Sequence, residues 1–340
     1  MFLNKLHLGF RIIRSAFWVG QFNFTSSSYH RMGKELTDKL VSKINLNNAH
    51  QFPANGKLKM QWYMADSIFG CEQYGRLIGK EKIEQGRKMY LLSGALLTMC
   101  DMIIDDLEMD MDRVKTLKRL ESDFAPKDEI EKLYQICYDE FFASLNGNIK
   151  ETARDYYEKV FDAQVLSKKQ FDPEITQQEV DAICKAKCGY CSLLLRTLLN
   201  KPFDQTEESF WFELGGFIQY CNDAQDLHKD LHSSIRTFAS VRPDLETVKA
   251  DLEKQWQVTL RQIKSTPFTE NKKDDFVLLL YVMYLAIQAK LFQFSMACNF
   301  NFSFSQFKLI DKNKIRAVTS PFQLARFVLP RAFQYNYRLI

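Results

Sequence analysis

Two acidic stretches constrain the fold of this chain most. Each follows an apolar run directly, and each has helical spacing. The first is CDMIIDDLEMD, residues 100–110, and the second is QYCNDAQDLHKD, residues 219–230. Carboxylates at positions i and i+4 project from the same side of a helix. Two such helices facing one another would concentrate negative charge inside the protein, which is unfavourable unless cations neutralise it. Mg²⁺ suits such a cluster because it prefers oxygen ligands and commonly bridges to a substrate phosphate.

The periodicity of the remaining sequence is helical nearly throughout. Proline and glycine are scarce, with 8 and 13 residues, and they fall mainly between the periodic segments. The pattern predicts an all-α, single-domain helical bundle over residues 51–340. One helix is expected from about residue 81 to residue 117, through the first acidic stretch. Another is expected to begin at Asp172-Pro173-Glu174, with the aspartate as its cap.

The N-terminal residues 1–50 are predicted to form a basic amphipathic segment that packs on or near this domain. The first 34 residues contain no Asp or Glu, which leaves open a weak association with a membrane surface. The most apolar window, residues 276–287, is too short for a spanning helix and is interpreted as a buried core helix. We therefore expect a cytoplasmic protein, either free or peripheral to a membrane.

Charge and cysteine content exclude some functional classes. The net charge is only +4, and no basic stripe is interleaved with aromatic residues, so no nucleic-acid partner is expected. The eight cysteines occur in a long chain without a convincing secretory signal, which favours free thiols in a reducing compartment. Phenylalanine is abundant, with 28 residues. Most should be core residues, but some could line a pocket for a carbocation because ring faces are negative.

The candidate metal ligands are the oxygen-bearing side chains of the two acidic stretches. In the first stretch they are Asp101, Asp105, Asp106 and Asp110; in the second they are Asn222, Asp223, Asp226 and Asp230. A solvated surface stripe is the alternative for either stretch, and the apolar run before each one argues against it. A cluster of two or three Mg²⁺ ions would grip a diphosphate and make it a better leaving group. An aromatic-rich apolar cavity would then protect the resulting cation from water.

These motifs resemble those of the class I isoprenoid synthase superfamily, which includes trans-prenyltransferases, terpene cyclases and squalene/phytoene synthases. The segment Asp105-Asp106-Leu-Glu-Met-Asp110 resembles its first aspartate-rich motif, in a DDxxxD form. The segment from Asn222 to Asp230 resembles the second motif of terpene cyclases, with Asp226 where Ser or Thr is expected. Asp101-xxx-Asp105 also matches the DxxxD motif of squalene/phytoene synthases.

The resemblance implies an α-helical bundle with a central active-site cavity, Mg²⁺ as cofactor and a prenyl diphosphate as substrate. It also implies diphosphate donors, for which Lys187 in a Lys-x-Gly segment, Lys229 and Arg331 are the candidates. The chain departs from chain-elongating prenyltransferases because Gly33-Lys34 does not continue into their Gly-Lys-x-x-Arg motif. No catalytic base is identified, and a homodimer is left open.

Three functions remain open from sequence. The expected one is an enzyme that ionises a prenyl diphosphate and forms a terpene or a coupled prenyl product. A head-to-head synthase of the squalene/phytoene type is the nearest alternative. A non-catalytic helical protein that binds prenyl diphosphate or lipid is the third. A helical scaffold in which both acidic stretches are surface features is left open beside these functions. Substrate chain length and product skeleton are not fixed by the sequence.

Overall fold

The computed structural model describes residues 28–45, 53–80, 86–106 and 109–317. Throughout these residues the chain forms helices joined by turns and contains no strand, so the predicted all-α class is confirmed. The helices are α1 (28–41), α2 (Gly56–Ile78), α3 (Arg87–Asp101), α4 (Met111–Leu117), α5 (Glu129–Ala143), α6 (Gly147–Leu166), α7 (Gln177–Thr197), α8 (Gln205–His232), α9 (Leu245–Ser265), α10 (Glu270–Ala297), α11 (Phe304–Lys308) and α12 (Lys312–Ala317).

The described chain forms two compact units. The first unit contains residues up to 168 together with residues 190–203, and therefore α1 to α6 and the end of α7. The second unit contains residues 169–189 and 204–317, and therefore the beginning of α7 and α8 to α12. The boundary predicted at residue 50 stays a prediction, since residues 1–27 and 46–52 lie outside the described part of the chain.

Side-chain caps fix where several helices begin. Asp128 accepts hydrogen bonds from the backbone N–H groups of Ile130 and Glu131 at the start of α5. Asp204 and Asp244 likewise accept from N–H groups in the first turns of α8 and α9. Such caps satisfy donors that have no partner within the helix.

The predicted helix start at Asp172 is wrong. The hydroxyl of Thr176 accepts a hydrogen bond from the N–H of Glu179, and the Glu179 carboxylate accepts one from the N–H of Thr176 at 3.0 Å. This reciprocal capping box places the first residue of α7 at Gln177. Asp172 instead accepts from the N–H of Glu174 within a turn.

The prediction of one continuous helix from residue 81 to residue 117 is also wrong. α3 ends at Asp101 and continues into one π-helical turn, Met102–Asp106. α4 then begins separately at Met111, because Asp110 caps it and accepts from the N–H of Arg113 at 3.2 Å. The apolar periodicity of the segment did not show that an aspartate within it would act as a new helix start.

In the first unit, α2 and α3 pack closely enough for their backbones to touch. A Cβ atom on Gly94 of α3 would lie 2.6 Å from the Cα atom of Met64 of α2, so only glycine fits at this point. Lys59, near the start of α2, pairs with Asp101 at the end of α3. The two helices therefore run in opposite directions, and their packing fixes what lies beside the first acidic stretch.

In the second unit, α7 and α8 make an equally close approach. A Cβ atom on Gly215 of α8 would lie 2.1 Å from the carbonyl oxygen of Cys188 of α7. α8 also packs on α9 and α10, where the ring centroids of Phe217 and Trp256 lie 5.4 Å apart. In the described chain, α10 alone is long and apolar enough to cross a membrane by length and composition, and half of its apolar window is buried inside the structure.

Candidate functional site

The first acidic stretch brings two predicted carboxylates together on one amide. Gln164 of α6 donates from its Nε2 atom to Asp101 Oδ1 at 3.1 Å and to Asp105 Oδ2 at 2.6 Å. The other oxygen of Asp101 pairs with the Lys59 ammonium at 2.5 Å. We call these four residues the first carboxylate cluster. Its carboxylates converge, as shared binding of a cation requires.

The π-helical turn explains why Asp101 and Asp105 lie on the same side. Met102, Ile103 and Ile104 between them are buried, while both aspartates remain partly exposed. A π-turn is wider than an α-turn and is found frequently at functional sites. The turn therefore places three apolar side chains in the core and leaves the two carboxylates at its edge.

The remaining two predicted ligands of this stretch are not part of the cluster as described. Asp110 is exposed and caps α4. The side chain of Asp106 lies outside the described part of the structure. Among the side chains that the structure describes, the pair that the fold brings together is Asp101 and Asp105, the DxxxD pair.

The second acidic stretch forms a line along α8 that becomes progressively more buried. Asn222 is exposed, the Asp226 side chain is 34% exposed, and Asp230 is buried. Asp226 lies 3.5 Å from the Lys229 ammonium. Asp230 accepts a hydrogen bond from the Thr237 hydroxyl at 3.0 Å. We call Asn222, Asp226 and Asp230 the second oxygen line.

Asp223, predicted as a ligand, lies in the interior and has another role. Its Oδ1 atom accepts from Gln219 Nε2 at 2.7 Å. Its Oδ2 atom accepts from the backbone N–H of Phe238 at 3.0 Å and from the Cys184 thiol at 3.1 Å. Both oxygens are therefore used by protein donors, which link α7, α8 and the segment after α8.

Burial raises the pKa values of the two inner aspartates, Asp223 and Asp230. Burial, reinforced by the negative charge of Asp223, raises the pKa of Asp230 to about 7, although the Thr237 hydrogen bond acts in the opposite direction. Burial also raises the pKa of Asp223. A cation bound beside Asp230 would favour its charged form and reverse this shift.

The predicted diphosphate donors lie in different surroundings. Lys187 of α7 is half-buried, and its positive charge opposes a small part of the rise that burial causes in the pKa of Asp223. Lys229 is largely exposed, with 71% of its side chain accessible. Arg331 lies outside the described residues. Their role toward a diphosphate stays a prediction.

The donor set of the described residues fits one mode of Mg²⁺ binding. Nowhere in residues 28–45, 53–80, 86–106 and 109–317 do three or more His, Cys, Asp or Glu side chains form a group that could hold a metal ion. Mg²⁺, however, usually keeps several waters and is held by one or two carboxylates plus substrate phosphates, not by an all-protein cage. The converging Asp101 and Asp105 match this second mode.

Sequence reasoning missed two members of the first carboxylate cluster, Lys59 and Gln164. Neither belongs to an acidic stretch, and each reaches the cluster from a different helix. For Gln164 a signal was present: it is a polar residue between Ala163 and Val165 on an apolar stretch of α6, and such a buried amide needs a partner.

No protein-family model matches the sequence, and no curated protein matches it. The chain is similar to solved structures of geranyltransferases from Legionella pneumophila and Helicobacter pylori and of a geranyltranstransferase from Thermotoga maritima. The identities are 15%, 12% and 14%, with TM-scores of 0.46, 0.45 and 0.44. The matches cover 79%, 76% and 76% of this chain and 98% of each of those chains.

Proposed function

We propose that this protein is a Mg²⁺-dependent class I isoprenoid synthase. It would bind a prenyl diphosphate, ionise it, and direct the carbocation to a terpene or a coupled prenyl product. The observation that carries the proposal is the convergence of Asp101 and Asp105 on one amide of Gln164, at the end of a buried apolar helix. Two carboxylates held in this way suit the capture of a hydrated divalent cation together with a substrate phosphate.

Asp101 and Asp105 would hold one Mg²⁺ ion, and Asn222, Asp226 and Asp230 would hold another. The first carboxylate cluster belongs to one compact unit and the second oxygen line to the other. When bound, Mg²⁺ would neutralise the charge that develops on the leaving diphosphate.

The protein's own groups would bind and orient the substrate. Lys187 and Lys229 would donate hydrogen bonds to diphosphate oxygens. Buried aromatic residues would keep water from the carbocation. We propose a cytoplasmic enzyme, free or peripheral to a membrane, and leave chain length to experiment.

The test is product analysis with the full chain. Geranyl, farnesyl and geranylgeranyl diphosphates are incubated with and without Mg²⁺, and released diphosphate and hydrocarbon products are measured by mass spectrometry. We expect Mg²⁺-dependent diphosphate release that Asp105→Asn abolishes. Asp112→Asn is the matched control, since this aspartate is exposed on α4 and its side chain is 86% accessible.

Each alternative function gives a different result in the same experiment. A C30 or C40 product, in further incubations with or without NADPH, would identify a head-to-head synthase. Tight binding of a prenyl diphosphate without release of diphosphate would identify a carrier. Full activity of Asp105→Asn would contradict the assignment of the first carboxylate cluster.

A further inference from the structure

The first carboxylate cluster already contains a cation of the protein's own. The Lys59 ammonium lies 2.5 Å from Asp101 Oδ2, and the side chains of Lys59 and Asp101 are only 23% and 16% exposed. A partly buried pair of this kind is screened less by solvent than a surface ion pair. Lys59 therefore occupies a carboxylate oxygen that the proposed function assigns to a metal ion.

The packing of α2 on α3 keeps Lys59 at this place. The two backbones touch where Gly94 meets Met64, and the ion pair lies about two helical turns further along, towards the end of α3. Lys59 belongs to the first turn of α2 and is followed by the fully buried Met60. Its backbone is thus fixed relative to Asp101, and the flexible side chain is the part that can move away.

We propose that Lys59 is an internal competitor of the divalent cation at Asp101. This inference rests on the proposed function, since it assumes that the first carboxylate cluster binds such a cation. An ammonium and a divalent ion cannot occupy the same carboxylate oxygen, and their like charges repel strongly at this separation. Cation binding therefore requires Lys59 to withdraw, and the Lys59–Asp101 pair sets the cation concentration at which the cluster is loaded.

The pair also stabilises the cluster before a cation arrives. Asp101 and Asp105 place two carboxylates on one amide of Gln164, and the Lys59 ammonium offsets the charge of Asp101. Lys59 therefore stabilises the metal-free cluster and, at the same time, lowers its affinity for a divalent cation. Lys59 is accordingly a positioning residue and not a catalytic one.

The experiment measures binding of Mn²⁺ alone to the full chain, by electron paramagnetic resonance of free Mn²⁺ at fixed pH and ionic strength. Mn²⁺ replaces Mg²⁺ as the probe, and the absence of phosphate excludes any effect of Lys59 on a diphosphate. Lys59→Met should bind Mn²⁺ at least about tenfold more tightly than the wild type, because a competing charge is removed. Lys59→Arg keeps the charge and should stay within about twofold of the wild type.

Two controls separate competition at Asp101 from a general change of charge. Lys57→Met removes the same charge from an exposed position two residues earlier on α2, and should change the affinity by less than about threefold. In an Asp101→Asn background, Lys59→Met should change the Mn²⁺ affinity by less than about twofold. The negative carboxylate for which the two cations compete is replaced there by a neutral amide. Circular dichroism establishes that each variant is folded.

The outcomes distinguish this inference from the proposed function. Equal Mn²⁺ affinity of Lys59→Met and Lys57→Met, or a weaker affinity of Lys59→Met, overturns the inference even if the wild type releases diphosphate in a Mg²⁺-dependent reaction. Equal tightening by Lys59→Met and Lys59→Arg also overturns it, since charge would then not matter. Tighter binding by Lys59→Met alone supports the competition even if no prenyl diphosphate is turned over. Absence of Mn²⁺ binding in every variant at millimolar concentration overturns the inference.

Discussion

The carboxylate of Asp223 accepts a hydrogen bond of 3.0 Å from the backbone N–H of Phe238. This bond fixes the segment that follows α8 to the middle of the same helix. Asp230 reinforces the arrangement through the Thr237 hydroxyl at 3.0 Å. Asp223 and Asp230 therefore both hold the segment after α8, whereas the side chain of Asp226 between them is 34% exposed.

The first prediction contrasts Asp223 with Asp226. Asp223→Asn places an amide donor among three hydrogen-bond donors and should reduce the free energy of unfolding by about 1–3 kcal/mol. Asp226→Asn, at a partly exposed position, should change it by less than about 0.5 kcal/mol and should abolish diphosphate release. Urea unfolding measures the stability of both variants, and the release assay measures their activity. An unchanged stability of Asp223→Asn would contradict the interior role of Asp223.

The second prediction concerns the charge of the first carboxylate cluster. Gln164→Glu replaces the bridging amide by a third carboxylate, so without metal the protein should be less stable, by about 1–3 kcal/mol. Added Mg²⁺ should raise the melting temperature of Gln164→Glu more than that of the wild type, since the extra charge attracts the cation. Gln164→Met is the control of similar size without charge. Equal Mg²⁺ responses of all three proteins would show that no cation binds at this place.

The sequence predicted the positions of the cluster aspartates better than their environment. Helical periodicity placed Asp101 with Asp105, and Asp226 with Asp230, on common sides of their helices. It could not show that Asp223, one residue from Asn222, faces the interior, because periodicity gives relative and not absolute orientation.

The partners of Asp101 on other helices could not be predicted from the sequence, for a different reason. Lys59 and Gln164 meet Asp101 only because α2 and α6 pack beside α3, and a single sequence contains no record of those contacts. The separate start of α4 was missed because a capping aspartate and a metal-binding aspartate have the same side chain. Asp110 was therefore assigned to the wrong helix.

The third prediction is a pH dependence caused by Asp230. Burial raises its pKa in the folded protein to about 7, from 3.8. The folded state then keeps a proton that the unfolded state loses, so this contribution to stability is complete below about pH 4 and is lost as pH rises to about 7. The change amounts to at most about 4 kcal/mol.

The measurement compares the wild type with Asp230→Asn in urea unfolding from pH 4 to pH 8, with chelator present. The wild type should lose stability relative to the variant up to about pH 7 and then remain parallel to it. Added Mg²⁺ should flatten the difference, because a bound cation favours the charged carboxylate. Parallel curves over the entire range in chelator would show that Asp230 titrates normally.

The fourth prediction tests the close approach of α7 and α8 with two adjacent glycines. A Cβ atom at Gly215 would lie 2.1 Å from the backbone oxygen of Cys188, which cannot move without shifting α7. Gly215→Ala should therefore reduce the free energy of unfolding by at least about 1–3 kcal/mol. A Cβ atom at Gly216 would instead meet the Lys185 side chain at 3.0 Å, which can adjust.

Gly216→Ala also gains helix propensity of up to about 1 kcal/mol, so its net effect should lie within about 1 kcal/mol of zero. The two variants add the same methyl group to the same helix, and urea unfolding compares them directly. Because Lys187 lies one residue before the contact on α7, Gly215→Ala should also weaken prenyl diphosphate binding, whereas Gly216→Ala should not. Equal effects of the two substitutions would mean that the α7–α8 distance is not limited by backbone contact, and the position of Lys187 would then need another cause.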